Sequence, residues 1–225
     1  MFSSIILQLI VVISSDWGDF HGVLYRFERN EPWDPWTRIG NGIPIGLGDK
    51  GMALGMQVLT EGVFKKEGDF CSPCGIFPLG SVFGDEEHRK YAAHMPYLLI
   101  ERNLECIDDP KSIYYNQLVH TDTILNPDWT SSEKCFELLD YYKIGVQVLY
   151  NTYPIDAGAG SCIFMHVWRN DASPTAGCTA MAEGDLQELV SWMDSKKRPL
   201  LVQMPIQEYL KKQGEWLLPE VENFK

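Results

Sequence analysis

Basic residues are scarce in this chain of 225 residues. Lysine and arginine together number 19 against 31 aspartates and glutamates, which gives a formal net charge of −12 at pH 7. Binding to a phosphate backbone depends on clustered positive side chains, and the only dense basic run here is Lys196-Lys197-Arg198. The composition therefore argues against a nucleic acid as the partner.

The sequence also lacks a long apolar run and an ordinary export signal. A transmembrane helix needs about 20 apolar residues, and no stretch reaches that length. The run Ile5–Ile13 has the length of a signal-peptide core, but no Lys or Arg precedes Arg26 and no clear cleavage site follows. We therefore interpret Ile5–Ser14 as a first β-strand. The sequence carries no signal for the oligomeric state.

Six cysteines are too few to make a disulfide scaffold of a chain this long, and they are compatible with either redox compartment. Cys71 and Cys74 form a C-x-x-C pair, but Pro73 and Gly75 indicate a turn rather than the start of a helix. No second such pair supports a zinc site. Free turn thiols, a disulfide and a redox site all stay open for this pair.

Runs of β-branched and aromatic residues, separated by Gly and Pro, dominate the chain. They predict strands at Ile5–Ser14, Gly22–Arg29, Arg38–Leu47, Gly51–Gln57, Pro96–Cys106, Tyr142–Asn151, Ser161–Arg169 and Leu200–Met204. Helical spacing occurs at Glu183–Met193, more weakly at Ser131–Tyr141, and over the short stretch Gln207–Gln213. Segment 66–84 resembles a loop, because Gly, Pro and Cys are frequent there. We predict one β-rich α+β domain over residues 1–225.

The sharpest chemical signal is a histidine at the end of an apolar strand and a cysteine twelve residues later. His166 lies in the strand, and Cys178 follows Gly177 in a tight turn shortly before a helix. A thiol becomes nucleophilic when a neighbouring imidazole takes its proton. Gly177 would let the backbone approach closely, so that the amides of Gly177 and Cys178 point at a developing oxyanion. The pair on its own is more typical of a core histidine and an inert buried cysteine than of a catalytic site.

This segment resembles the catalytic core of the L,D-transpeptidase (YkuD-like) family, in which a strand histidine precedes Ser/Thr-His-Gly-Cys. The matching residues here are His166, Thr175, Gly177 and Cys178. An upstream block, residues 64–80, is similar to the family's stretch K-x-E-G-D-G-x-T-P-x-G-x-F-x-L. The two blocks occur in the family's order, and the resemblance extends over roughly residues 8 to 205.

The resemblance implies a mixed β-sandwich or barrel with two or three short helices, and acyl transfer on peptidoglycan stem peptides. Cys178 would attack the substrate carbonyl, His166 would act as its base, and the carbonyl of Val167 would orient the imidazole. No metal or organic cofactor is required. Thr175, Tyr115 and Asn116 are the expected substrate contacts.

The chain departs from the family pattern at two places. Ala176 stands where most members have a second histidine, and Thr179-Ala180 stands where many have an apolar residue and an arginine. Arg169 could replace the missing arginine by binding the substrate's terminal carboxylate through a bidentate pair. It could instead pair with Asp171 or Glu183 and hold the loop.

Three functions remain open at this point. An amine acceptor would make the enzyme an L,D-transpeptidase, and water would make it an L,D-carboxypeptidase. The departures near Cys178 also allow a catalytically silent module that binds the cell wall. Each of these implies a location in the cell envelope, outside the cytoplasm.

Overall fold

A computed structural model describes residues 6–55, 62–170 and 173–220 of the chain. The strands in these ranges are β1 (Gln8–Ser14), β2 (His21–Glu28), β3 (Thr37–Gly46), β4 (Met52–Leu54), β5 (Ser72–Gly84), β6 (Tyr97–Leu99), β7 (Leu104–Cys106), β8 (Leu118–His120), β9 (Glu133–Lys134), β10 (Ile144–Val148), β11 (Phe164–Val167), β12 (Thr179–Met181) and β13 (Leu200–Pro205). The α-helices are α1 (Leu139–Tyr142), α2 (Glu183–Trp192) and α3 (Ile206–Lys212). The predicted β-rich α+β class is confirmed.

Eight of the strands form a closed barrel. Neighbours follow the order β10, β11, β12, β3, β2, β1, β13 and β5, and β5 then pairs with β10. The pairings β1 with β13 and β11 with β12 are parallel, whereas the others in the ring are antiparallel. Strands β4 and β6 pair with β5 outside the ring, and β7, β8 and β9 form a separate sheet.

Strand β1 confirms the prediction that the first apolar run is extended, although Ile5 lies outside the described residues. Ile10, Val11 and Val12 are fully buried, as expected for β-branched residues in a strand that is covered on both faces. The antiparallel register from Ser14 opposite Gly22 to Gln8 opposite Glu28 joins the first two predicted strands in a hairpin. The predicted strand end at Gln57 also lies outside the described residues.

The prediction of a loop over 66–84 is wrong, because β5 runs through most of it. Prolines and glycines are typical of turns, but at least one glycine in this strand is required by close packing beside β10. A Cβ on Gly84 would lie 2.3 Å from the carbonyl oxygen of Lys143. A larger residue would therefore collide with the backbone beside β10, which pairs with β5 at this point.

The predicted helix over Ser131–Tyr141 is also largely wrong. Residues Glu133 and Lys134 pair with β7 as the short strand β9, and a 3-10 turn leads from there into the single helical turn α1. The prediction failed because cross-strand pairing with β7 overrides a weak helical pattern. Similarly, the predicted strand Pro96–Cys106 is divided into β6 and β7 by a turn at which the Leu104 N–H donates to the Glu101 carbonyl.

The two other predicted helices are confirmed. Helix α2 buries Leu186, Leu189 and Val190 on one face, and α3 follows β13 directly. No helix in the three described ranges is both long and apolar enough to cross a membrane.

A disulfide between Cys106 and Cys162 joins the three-stranded sheet to the barrel. Cys106 ends β7, and Cys162 lies two residues before β11. Both cysteines are buried. Cys71, Cys74, Cys135 and Cys178 are free thiols, so the C-x-x-C pair forms no disulfide, and Cys74 lies in strand β5 rather than in a turn. No residue pattern predicts the pairing of Cys106 with Cys162.

Replacing both Cys106 and Cys162 by serine should lower the free energy of unfolding by about 2–4 kcal/mol, because the bond restricts the unfolded chain. Urea denaturation of the wild type and the double variant measures this difference. As a control, alkylation of the denatured wild type should label the four free cysteines without reductant and all six after reduction. Six labels without reductant would contradict the disulfide.

Candidate active site

The parallel pairing of β11 and β12 determines where Cys178 and His166 lie. Met165 is opposite Thr179, and His166 is opposite Ala180. Cys178 is therefore level with Phe164, whose N–H donates a hydrogen bond to Sγ of Cys178 at 3.3 Å. Because side chains alternate along a strand, Phe164 and His166 face the same side of the sheet. The register thus brings the predicted thiol and imidazole to neighbouring positions.

A cavity of about 420 Å³ opens beside these two residues. Its walls include Glu133, Tyr142, His166, Arg169, Thr175 and Cys178. The barrel supplies one side through β11 and the turn before β12, and the segment from β9 to α1 supplies the other. The cavity therefore lies where the barrel meets the smaller sheet.

The imidazole of His166 has a defined tautomer. Its Nδ1 lies 2.9 Å from the carbonyl oxygen of Val167, and a carbonyl only accepts, so Nδ1 carries the proton. Burial lowers the pKa of His166, which favours the neutral ring. Nε2 is then a free acceptor, as a general base requires. Val167 thus makes the contact that the sequence analysis expected of it.

The surroundings of the Cys178 thiol favour its protonated form. Burial, and secondarily the carboxylate of Glu133, raise its pKa to about 12. Its Sγ–H donates to the carbonyl oxygen of Cys162 at 3.5 Å, and it packs in an apolar cluster with Phe164 and Tyr142. The resting state is accordingly a neutral thiol beside a neutral imidazole, rather than an ion pair.

Two hydroxyl groups hold the turn that carries Cys178. Thr175 Oγ1 donates to the carbonyl oxygen of Cys178 at 2.7 Å, and Ser72 Oγ donates to the same oxygen at 3.0 Å. Thr175 Oγ1 also accepts the N–H of Gly177. Thr175 therefore positions the turn and also lines the cavity. Its expected contact with substrate stays a prediction. Ser72 belongs to the upstream block, so the two resembling blocks meet here.

The occupied N–H of Gly177 changes the expected oxyanion site. Since that amide already donates to Thr175, the remaining amide in the turn is the N–H of Cys178, for which the described residues provide no hydrogen-bond partner. Gly177 itself has a φ of +146°, and a Cβ there would lie 2.9 Å from the carbonyl oxygen of Cys71. Only glycine fits this position without strain.

Tyr115 and Asn116 are not among the residues that line the cavity, so the structure does not bring them together with Cys178, and their contact with substrate stays a prediction. The Tyr115 hydroxyl donates to Glu67 and accepts the N–H of Gly160. The Asn116 side chain donates to two backbone carbonyls and accepts the N–H of Cys162 at 2.9 Å. Both residues are buried, and their polar groups support the segment that presents the Cys162 carbonyl to the thiol.

Arg169 does line the cavity, as the substrate-clamp hypothesis requires. Its Nε donates to the hydroxyl of Tyr141 at 3.1 Å, and its guanidinium lies 5.8 Å from that ring's centroid. Glu183, one of the two loop partners considered for it, pairs instead with Lys143 and His88. The other, Asp171, lies outside the described residues. Arg169 is exposed and available at the rim of the cavity.

Two charged residues near the thiol were not predicted as site residues from the sequence. Lys65 is buried, forms a 2.8 Å ion pair with Asp69, and lies close behind Gly177. Its position in the upstream block was the available signal. Glu133 lines the cavity itself. The helix predicted over its segment did not indicate this position. Among the described residues, no group of His, Cys, Asp and Glu is arranged to hold a metal ion.

No family model matches the chain, and no curated protein matches it. Two solved structures are similar to it: the helical cell shape determining protein Pgp2 from Campylobacter jejuni, and a mutant of that protein. Both are 16% identical and cover 88% of this chain, with TM-scores of 0.36 and 0.37. The chain spans about half of their length, 47% and 46%. TM-scores this low do not support an inference about the function of this chain.

The raised pKa of Cys178 predicts slow alkylation of the resting protein. Above about pH 8, the rate with iodoacetamide should rise about tenfold per pH unit, because only the thiolate reacts. Mass spectrometry of peptides from samples quenched at intervals measures the rate at Cys178 separately from that at Cys71. A rate that levels off below about pH 9 would indicate a thiolate–imidazolium pair instead.

Proposed function

We propose that the chain is a cysteine acyl transferase that acts on peptidoglycan stem peptides, as an L,D-transpeptidase or L,D-carboxypeptidase. The observation that carries the proposal is the placement of Cys178 and His166 on one cavity, with Nδ1–H of His166 committed to Val167 and Nε2 left free. The substrate class comes from the resemblance of residues 64–80 and 160–181 to the L,D-transpeptidase family. The same resemblance is the basis for proposing that family's fold.

The proposed reaction begins when a bound substrate displaces the thiol proton from the Cys162 carbonyl. His166 Nε2 accepts that proton while Sγ of Cys178 bonds to the substrate's carbonyl carbon. The N–H of Cys178 donates to the oxyanion of the tetrahedral intermediate. The carbon–nitrogen bond then breaks, and the imidazolium returns its proton to the leaving amine. An acceptor amine or water finally cleaves the thioester.

Two further features fit this proposal. Arg169 at the rim could bind the substrate's terminal carboxylate through a bidentate pair. The Cys106–Cys162 disulfide is typical of an oxidising compartment, and we therefore propose that the protein works in the cell envelope, outside the cytoplasm.

A catalytically silent module that binds stem peptides is the second candidate. The observation that favours it is the burial of Cys178, whose Sγ–H donates to the Cys162 carbonyl at 3.5 Å within an apolar cluster. Such a module would use the same cavity and would release no product.

Incubation with purified disaccharide-tetrapeptides should release the terminal D-alanine, and mass spectrometry of the products measures this. Cys178→Ala and His166→Ala should each lower turnover at least about 10³-fold, since they remove the nucleophile and its base. Cys71→Ala, which removes another free thiol, is the matched control and should keep full turnover. Adding an acceptor amine separates transpeptidase from carboxypeptidase. Binding without any product would favour the silent module.

A further inference from the structure

Lys65 places a buried ammonium group behind the turn that carries Cys178. Its residue surface is 5% exposed, and its Nζ forms a 2.8 Å ion pair with Oδ1 of Asp69. A Cβ on Gly177 would lie 3.4 Å from that Nζ. The ammonium group therefore packs against the backbone of Gly177, the residue that precedes the proposed nucleophile.

Two glycines leave the space that the Lys65 side chain occupies. A Cβ on Gly160 would lie 2.8 Å from Cε of Lys65 and 3.3 Å from its Cγ. Gly160 and Gly177 have φ values of +106° and +146°, so a larger residue would be strained at both positions. The segment of Gly160 leads to Cys162, whose carbonyl oxygen accepts the thiol of Cys178. Lys65 thus lies between the two backbone segments that position the thiol.

Asp69 fixes the direction of the Lys65 side chain. Its Oδ1 also accepts the N–H of Cys71 at 2.9 Å, and its Oδ2 accepts the N–H of Lys66 at 2.7 Å. The carboxylate therefore closes the loop between Lys66 and Cys71 while it holds the ammonium group. In the ranges that the structure describes, Asp69 is the one hydrogen-bond acceptor of Nζ. A single carboxylate thus offsets an enclosed positive charge that is costly to remove from water.

We propose that Lys65 is a positioning residue for the acyl transfer, and that its ammonium group, held against Gly177 by Asp69, favours the negative charge that forms at Cys178. In the reaction that charge forms on Sγ and then on the substrate oxygen that the Cys178 N–H binds. Lys65 is not among the residues that line the cavity, so it acts through the turn. The inference rests on the proposed function for the reaction, whereas the effect of Lys65 on the thiol does not.

The ammonium group of Lys65 opposes the other influences on the thiol. Burial, and then the carboxylate of Glu133, raise the pKa of Cys178, and Lys65 acts in the opposite direction. Charges within a protein interior are screened less than charges in water. A fixed cation behind the turn therefore stabilises a thiolate that burial disfavours.

The other titratable groups around the thiol keep one charge between about pH 8 and pH 9. Burial raises the pKa of Tyr142 well above its usual value, raises that of Cys135 to about 12 and lowers that of His166, so all three are neutral. Burial raises the pKa of Glu133 to about 7, so this group is ionised. Arg169 at the rim stays positive. A change in thiol reactivity over this range then reports the thiol itself.

Alkylation of Cys178 by neutral iodoacetamide at about pH 8 and pH 9 tests the proposal without any peptidoglycan. Lys65→Met keeps an unbranched side chain but removes the charge, and it should slow the reaction about threefold to tenfold because it lowers the thiolate fraction. Asp69→Asn keeps Lys65 and an acceptor oxygen, and it should raise the rate about threefold because it removes a negative charge. Loss of a purely structural ion pair would instead change both rates in the same direction. Peptide mass spectrometry of quenched samples measures the rates.

Lys66→Met is the matched control, because it removes the same charge from the exposed neighbouring lysine. It should leave the rate at Cys178 unchanged. With all proteins folded by melting temperature, equal rates in the wild type and Lys65→Met would overturn the proposal. An unchanged or slower reaction in Asp69→Asn would also overturn it, and this variant alone decides if Lys65→Met does not fold.

Turnover of stem peptides tests the part that Lys65 plays in the reaction. Lys65→Met should lower kcat at least about tenfold and leave KM within about twofold, because Lys65 acts on the charge that forms during the reaction and does not line the cavity. A raised KM with an unchanged kcat would overturn this role. Absence of turnover by the wild type would contradict the proposed function, while the alkylation rates would still decide whether Lys65 acts on Cys178.

Discussion

The parallel pairing of β11 with β12 is the constraint on which the site depends. Its register places Cys178 level with Phe164, so that the thiol lies near the strand that carries His166. The connection between the strands, residues 168–178, must then bring the chain back to the level at which β11 begins. Thr175 and Ser72 stabilise the turn at its end through the Cys178 carbonyl, and Gly177 supplies a backbone conformation that other residues adopt only with strain.

The second consequence of this arrangement is a nucleophile kept neutral by its surroundings. Cys178 lies in an apolar cluster with Phe164 and Tyr142, and burial disfavours its charged form. Burial also favours the neutral form of His166. A buried thiol with a raised pKa is protected from unspecific chemistry, but it needs a change in its environment before it can attack. In the proposed mechanism, the bound substrate provides that change when it displaces the thiol proton from the Cys162 carbonyl.

The sequence predicted the parts of the molecule that depend on local pattern. The β-branched run of β1, the hairpin with β2 and the apolar face of α2 are all visible in residue spacing. It failed where tertiary pairing overrides local preference, as in β5 with its glycines and prolines, and in β9, where Glu133 pairs with β7 rather than joining a helix.

The same distinction applies to the site. Cys178, His166, Gly177 and Val167 lie close together in the chain, and the spacing of a strand and a turn made their proximity predictable. Tyr115 and Asn116 are expected in the site from the family resemblance, but their hydrogen bonds are made in the interior. The Cys106–Cys162 disulfide and the cavity position of Glu133 depend on how the smaller sheet packs on the barrel, which no local pattern records.

The central claim is that Cys178 forms a thioester with the stem peptide. Rapid quenching of the protein with a disaccharide-tetrapeptide, followed by intact and peptide mass spectrometry, measures this directly. We predict a single adduct, with the mass of the substrate less the expelled D-alanine, on the peptide that contains Cys178. Product formation without an adduct in the wild type, or an adduct on Cys71 or another thiol, would contradict the claim.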